Sequence, residues 1–256
     1  MKVRFFFLIL PYLTFATLQS SEGGADSLII PDIFSSGMVV QQEKPVRVWG
    51  EGDPKQSVEV EFAGERKTAL FNEKRWSVEF PPQKAKGQVL SMKILSAGNL
   101  VRQIDDILVG EVWLASGQSN MDLRLCSTKE CETSCLRPPD PELRCFTVSA
   151  ELLKDEVKGP LGTKWESAEN ESIRMWSAVA YHFAYSLRNS LKIPVAIVNP
   201  SRGGTITEAW CRLKMLKEYP NYQQLLGFRK VYDPTKLQGF IPGLMFERLM
   251  LPVIPY

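Results

Sequence analysis

What this chain of 256 residues lacks narrows its function before any motif is read. It has one histidine, His182, and no paired Cys-x-x-Cys, so the usual sources of zinc ligands are missing. It has no basic stripe: 31 lysines and arginines are mixed with 29 acidic residues, for a formal charge of +2, which excludes the electrostatic footprint of a nucleic-acid partner. No run is long and apolar enough to span a bilayer, which takes roughly 20 residues. Internal repeats and low-complexity tracts are absent. What remains is an ordinary globular balance, 44% hydrophobic and 23% charged, with length for one large domain or two modest ones.

The N-terminus carries the first positive signal. Lys2 and Arg4 precede an apolar run from Phe5 to Leu13 that continues to Leu18, interrupted by Pro11, and small and polar residues follow through Gly24. This is the layout of a secretory signal peptide over residues 1–24, and it predicts an exported protein, extracellular, periplasmic or lysosomal, with no membrane segment after its removal. Export makes the cysteines readable. Cys126, Cys131, Cys135 and Cys145 cluster and Cys211 stands apart, which predicts disulfides that pin one loop in an oxidising compartment.

Two modules follow in series. From Ser27 to about Ile104 the pattern has a period of two: Val58, Val60 and Phe62 alternate with polar residues, as do Trp76, Val78 and Phe80, and Val89 to Leu95 is a further apolar strand. Turn signals at Gly50 to Pro54, Asn72 to Lys74, Pro81-Pro82 and Gly98-Asn99 separate them. The spacing predicts a small β-sandwich over 27–104, for packing or for contact with carbohydrate. At about Asp105 the character changes. Ile107 to Ala115 is nearly continuous in apolar residues, Leu143 to Val148 and Val195 to Val198 are candidate strands, and Trp176, Val179, Ala180, Phe183, Leu187 and Leu191 recur at helical spacing. Strands alternating with helices over 105–256 predict an α/β unit, a parallel sheet with helices on both faces.

Chemistry concentrates at two turns. Val112 to Ala115 runs into Gly117-Gln118-Ser119-Asn120, which presents the Ser119 hydroxyl at the carboxyl end of a buried strand. The same residues are also good turn formers, and a lone serine in a turn is usually nothing more. The second turn is Ser201-Arg202-Gly203-Gly204. Thr205 and Glu208 have the spacing of a capping box, which predicts a helix starting there, with Gly203 and Gly204 just ahead of its N-terminus. Backbone amides so placed suit the oxyanion of acyl transfer. A serine nucleophile also needs a base, and the helical pattern sets His182 between the core and solvent faces, away from Ser119.

These blocks, with Gln41 to Gly50, Ser116 to Met121 and Gly203-Gly204-Thr205…Glu208-Ala209-Trp210 in order, resemble the sialate O-acetylesterase family of SGNH-type carbohydrate esterases. The resemblance implies a three-layer α/β/α catalytic domain, incomplete here, behind a sandwich. It implies Ser119 as nucleophile, Gly203, Gly204, Gln118 and Asn120 around the oxyanion and substrate, and hydrolysis of O-acetylated sugars without metal or cofactor. The family usually has Trp and Pro where this chain has Arg202 and Ile206. Its later Gln-Gly-Glu and Asp-x-x-His segments have no counterpart, and Leu249 to Tyr256 reads like the approach to a further strand. The expectation is an N-terminal portion whose catalytic Asp and His come from a downstream segment or a second chain, inactive by itself; the alternative is a non-catalytic sugar-binding or scaffold remnant.

Overall fold

The structure is a computed structural model that describes residues 28–85, 87–153, 161, 163–222, 227 and 238–254. The expected signal peptide lies outside these residues. Eight strands come first: β1 (Val39–Gln41), β2 (Val46–Glu51), β3 (Val58–Phe62), β4 (Glu65–Thr68), β5 (Leu70–Asn72), β6 (Arg75–Phe80), β7 (Leu90–Ser96) and β8 (Asn99–Leu114). Then come α1 (Ser119–Asp122), α2 (Cys131–Cys135), β9 (Asp140–Thr147), β10 (Glu166–Ala168), α3 (Ala178–Leu191), β11 (Val195–Asn199) and α4 (Leu213–Lys217). The expected strands at Val58, Arg75 and Val195 are present within a residue of their predicted ends.

The sandwich pairs a three-stranded sheet, β2-β6-β5, with the antiparallel strands β4-β3-β7-β8 of a larger sheet. Alternation does what a half-buried strand requires: on β6, Trp76, Val78 and Phe80 are buried while Arg75, Ser77 and Glu79 face water. Phe62 and Phe80 meet edge to face across the two sheets, with ring centroids 5.5 Å apart. Gly50 is required by this core. A β-carbon there would lie 2.6 Å from the Trp76 ring and 2.3 Å from the carbonyl of Ile29.

One strand joins the halves. The first part of β8 pairs antiparallel with β7, and the last part pairs parallel with β1 and β11. Position 105, where the composition shifts, therefore lies inside a strand. Asp106, at φ 56, marks the bend between the two regimes. Arg144 fastens it: 5% exposed, its guanidinium donates to the carbonyls of Gly37 (2.8 Å) and Asp106 (2.7 Å) and pairs with the Asp106 carboxylate at 2.9 Å, while Nε donates to Pro141. A buried guanidinium is tolerated where its donors are satisfied, and these are.

Beyond the joint, β9, β11 and β8 form a parallel set in that order, with β10 antiparallel on β9. All five residues of β11 are buried, as expected for a strand covered on both faces. Val195 and Ile197 belong to the same buried cluster as Ala180 and Ala184 of α3, and Ala196 and Val198 to the one that holds Leu244, Met245 and Leu249. Of the run that reads like the approach to a further strand, Leu249 and Met250 close a π-helical turn, Phe246–Met250, and 251–254 continue as a turn.

The buried face of α3 matches the predicted stripe only in part: Ala180 is buried and Leu187 packs on the same core. Ala178, Ala180, Tyr181 and Ala184 are buried, whereas Val179, Phe183 and Leu191 are 43–49% exposed. Small alanines allow the helix to approach β11 closely, and that approach turns the larger residues outward. Phe183 then meets Trp113 of β8, ring centroids 5.0 Å apart, and Trp113 itself is 44% exposed. At Trp113 and Leu114, β8 is paired with β11 on one side only among the described residues.

Candidate active site

Ser119 stands where the sequence placed it, in the first turn after β8, and it is exposed. The turn is built by its neighbours. Gly117 adopts φ +154, and a β-carbon on it would press on Met121 at 3.2 Å. The Gln118 carbonyl accepts the amides of Met121 and Asp122, both at 2.9 Å, and so closes α1. Among the described residues the amides of Ser119 and Asn120 have no partner, as at the start of any short helix. The side chains of Gln118 and Asn120 are exposed beside it.

The diglycine turn folds onto this one. Arg202 donates its amide to the Gly117 carbonyl at 3.0 Å, and Gly203 donates its amide to Asp122 Oδ2 at 2.8 Å. A β-carbon on Gly203 would lie 3.7 Å from Ser119 Cα, 4.0 Å from its Oγ and 3.3 Å from the Asp122 carboxylate, so the two turns are in contact. Gly204, at φ +71, takes a conformation that favours glycine, and its amide has no partner among the described residues. Arg202 is exposed.

The capping box is not formed. Thr205 is buried, and its hydroxyl donates to the Arg202 carbonyl at 3.0 Å while accepting from Trp210 Nε1 at 2.8 Å. Only a single 3-10 turn follows, Thr207–Trp210, with no side-chain cap. The indole competes successfully for the threonine oxygen, so Thr205 braces the turn from beneath. The helix dipole invoked from the sequence is correspondingly absent, and any anion affinity here rests on individual amides.

His182 is half-buried on α3 with its ring against Tyr181, centroids 5.3 Å apart. Among the described residues neither its imidazole nor Ser119 Oγ has a hydrogen-bond partner. Asp122 is the residue that sequence reasoning passed over. The only available signal was a carboxylate three positions after Ser119, one turn further along the same short helix.

The cysteines correct a second expectation: all five are free. Cys131 and Cys135 lie one turn apart on α2, thiol beside thiol; burial, and then Cys131, push the Cys135 thiol up. Cys145 on β9 is buried against Thr147 Oγ1 at 3.7 Å, and desolvation pushes it up to about 12. Helix packing and β9 already hold this region, with Arg174 donating to Glu132 at 3.0 Å and to Cys131 Sγ at 3.4 Å. Among the described residues no group of three or more histidine, cysteine or acidic side chains could hold a metal.

With this geometry in hand, comparison with known proteins is informative. No family model matches the chain. A solved carbohydrate acetylesterase from Xanthomonas citri shares the fold with a TM-score of 0.71 and 27% identity, over 90% of this chain and 49% of that one. That likeness sets the class: a mixed α/β fold of the carbohydrate-esterase kind. Sialate O-acetylesterases of Pongo abelii and Homo sapiens are 27% and 28% identical to it, each over 82% of this chain. That of Mus musculus is 30% identical over 70%. Over most of its length the chain thus resembles the sialate O-acetylesterases. It spans less than half the length of these relatives, 43% of the first two.

Proposed function

We propose that this chain carries the nucleophile-bearing part of an exported carbohydrate O-acetylesterase that removes acetyl groups from O-acetylated sugars. The observation that carries the reading is the exposed Ser119 just past the carboxyl end of the parallel part of β8, with the diglycine turn against it. Ser119 Oγ attacks the acetyl carbonyl, and the free amides of Ser119 and Gly204 receive the oxyanion. Loss of one such donor typically costs about 3–4 kcal/mol of transition-state stabilisation. Collapse of this intermediate breaks the bond to the sugar oxygen, which leaves as the protonated hydroxyl, and water then hydrolyses the acetyl-enzyme to release acetate and restore Ser119. Gln118 and Asn120 border the acetyl-binding side.

The base is the part these residues do not supply. Serine is a weak nucleophile until a base within hydrogen-bond reach takes its proton, and His182 makes no bond to Ser119. The acid–base pair therefore comes from a downstream segment or a second chain, and this chain alone turns over feebly through its oxyanion donors. The test is hydrolysis of an aryl acetate by the chain, by Ser119→Ala and by His182→Ala. Weak turnover is expected, lost in Ser119→Ala and kept in His182→Ala. Robust turnover that disappears in His182→Ala would make His182 the base. Sugar binding with no acyl transfer, even after a separately made downstream segment is added, would establish the non-catalytic reading.

A further inference from the structure

We infer that Asp122 is a positioning residue, whose carboxylate holds the diglycine turn against the Ser119 turn and thereby sets where the Gly204 amide stands. The inference rests on Ser119 as nucleophile and adds a residue that neither motif singled out.

The turn 201–204 has no regular structure of its own. At its far ends it is secured from within, by Asn199 Oδ1 accepting the Ser201 amide at 3.1 Å and by Thr205 bonding Arg202. Toward Ser119 it has two short ties, Arg202 N–H to the Gly117 carbonyl and Gly203 N–H to Asp122, and a long one from the Ser201 hydroxyl to the Met121 carbonyl at 3.5 Å. The Asp122 tie is the only one of these made by a side chain of the nucleophile turn. It is also charge-assisted, and such bonds are roughly twice as strong as neutral ones.

Its position gives it leverage. Gly203 lacks a side chain that could wedge the turn in place, and Gly204 follows in a conformation open to few residues other than glycine. Fixing the Gly203 amide anchors the start of the peptide that carries the Gly204 N–H, a donor with no partner among the described residues. The same bond removes Gly203 from the list of oxyanion donors, because its hydrogen is already committed. A carboxylate next to a developing oxyanion is electrostatically adverse, so its role here is geometric: it supplies an acceptor at a fixed place. Misplacing a catalytic group by about 1 Å is enough to lose on the order of a hundredfold in rate.

The experiment uses the full chain with two readouts: amide hydrogen exchange at Gly203 and Gly204 by NMR, and the rate at which a fluorophosphonate labels Ser119. Asp122→Ala is expected to speed Gly203 exchange about tenfold or more and to slow labelling by about ten- to a hundredfold. Exchange at Val198 of β11 stays unchanged. Asp122→Asn keeps an acceptor and restores both readouts to within a few fold of the native chain. Unchanged Gly203 exchange in Asp122→Ala overturns the latch, and faster exchange with unchanged labelling overturns its positioning role. A native chain that is never labelled, even after a separately made downstream segment is added, sinks Ser119 as nucleophile instead, and the exchange data alone then decide whether Asp122 holds the turn.

Discussion

The sandwich and the α/β half treat their outer surfaces differently. On the sandwich, the water side of the sheets is charged and cross-paired: Arg47 of β2 meets Glu79 of β6 at 3.0 Å, and Lys67 meets Glu65 at 3.3 Å. Its exposed apolar residues, such as Leu100 and Val101, flank the β7–β8 hairpin turn. In the α/β half, large apolar residues occupy a sheet edge and a helix face in mutual contact: Trp113, Phe183 and Val179, 43–49% exposed. A sheet with one face packed in a core and the other charged is complete within its own residues. A strand end paired on one side, with aromatic rings beside it, is a surface that favours association.

Two substitutions and one labelling experiment would break or sharpen that contrast. The largest effect is expected at Trp76, which is 1% exposed and packed on Gly50. Trp76→Ala should cost about 3–5 kcal/mol in chemical denaturation. A loss below about 1 kcal/mol would show that the sandwich core is looser than its burial implies. At the open edge, Phe183→Ser should change stability by no more than about 1 kcal/mol, because much of the ring is already in water. Light scattering should show less self-association for this variant than for the native chain; equal association would mean that the Trp113–Phe183 patch is not the adhesive surface.

The smallest effect is one of reactivity at constant stability. At pH 8 a maleimide should label the exposed Cys126 quickly and leave Cys145 untouched, since burial holds the Cys145 thiol up to about 12. The linkage has a definite sign. The unfolded chain ionises this thiol first, so its contribution to stability is intact at neutral pH and is lost as pH rises from the ordinary thiol range toward about 12. Mass mapping that finds Cys145 in a disulfide would overturn this assignment.

What could be read from sequence follows the same divide. In the sandwich, one face per strand is buried, so Trp76, Val78 and Phe80 announce themselves by alternation alone. The short apolar run of β11 was legible for the same reason: a strand covered on both faces has no polar residues to confuse it. The α3 face was legible only in part, because hydrophobicity and burial part company there. Alanine is a weak apolar signal but an excellent contact residue, so Ala178, Ala180 and Ala184 took the interior from Val179 and Phe183. Thr205 was misread because its rival partner, the Trp210 indole, is a tertiary fact. The Ser119 and Gly203–Gly204 turns were visible as motifs, but the bond between Asp122 and Gly203 spans 81 positions, and no local pattern encodes it.

The shared strand β8 also dictates an order of assembly. Its partners lie far off on either side in sequence: Leu108 pairs with Val39, and Glu111 pairs with Val195. Closing such distant pairs is slow compared with forming hairpins. During synthesis, the β7–β8 hairpin and its antiparallel neighbours can form while the end of β8, Glu111 to Leu114, still waits for β11 to emerge. This central strand is therefore among the last to be completed, and in the interval its unpaired end is the segment most exposed to misassembly and most dependent on protection.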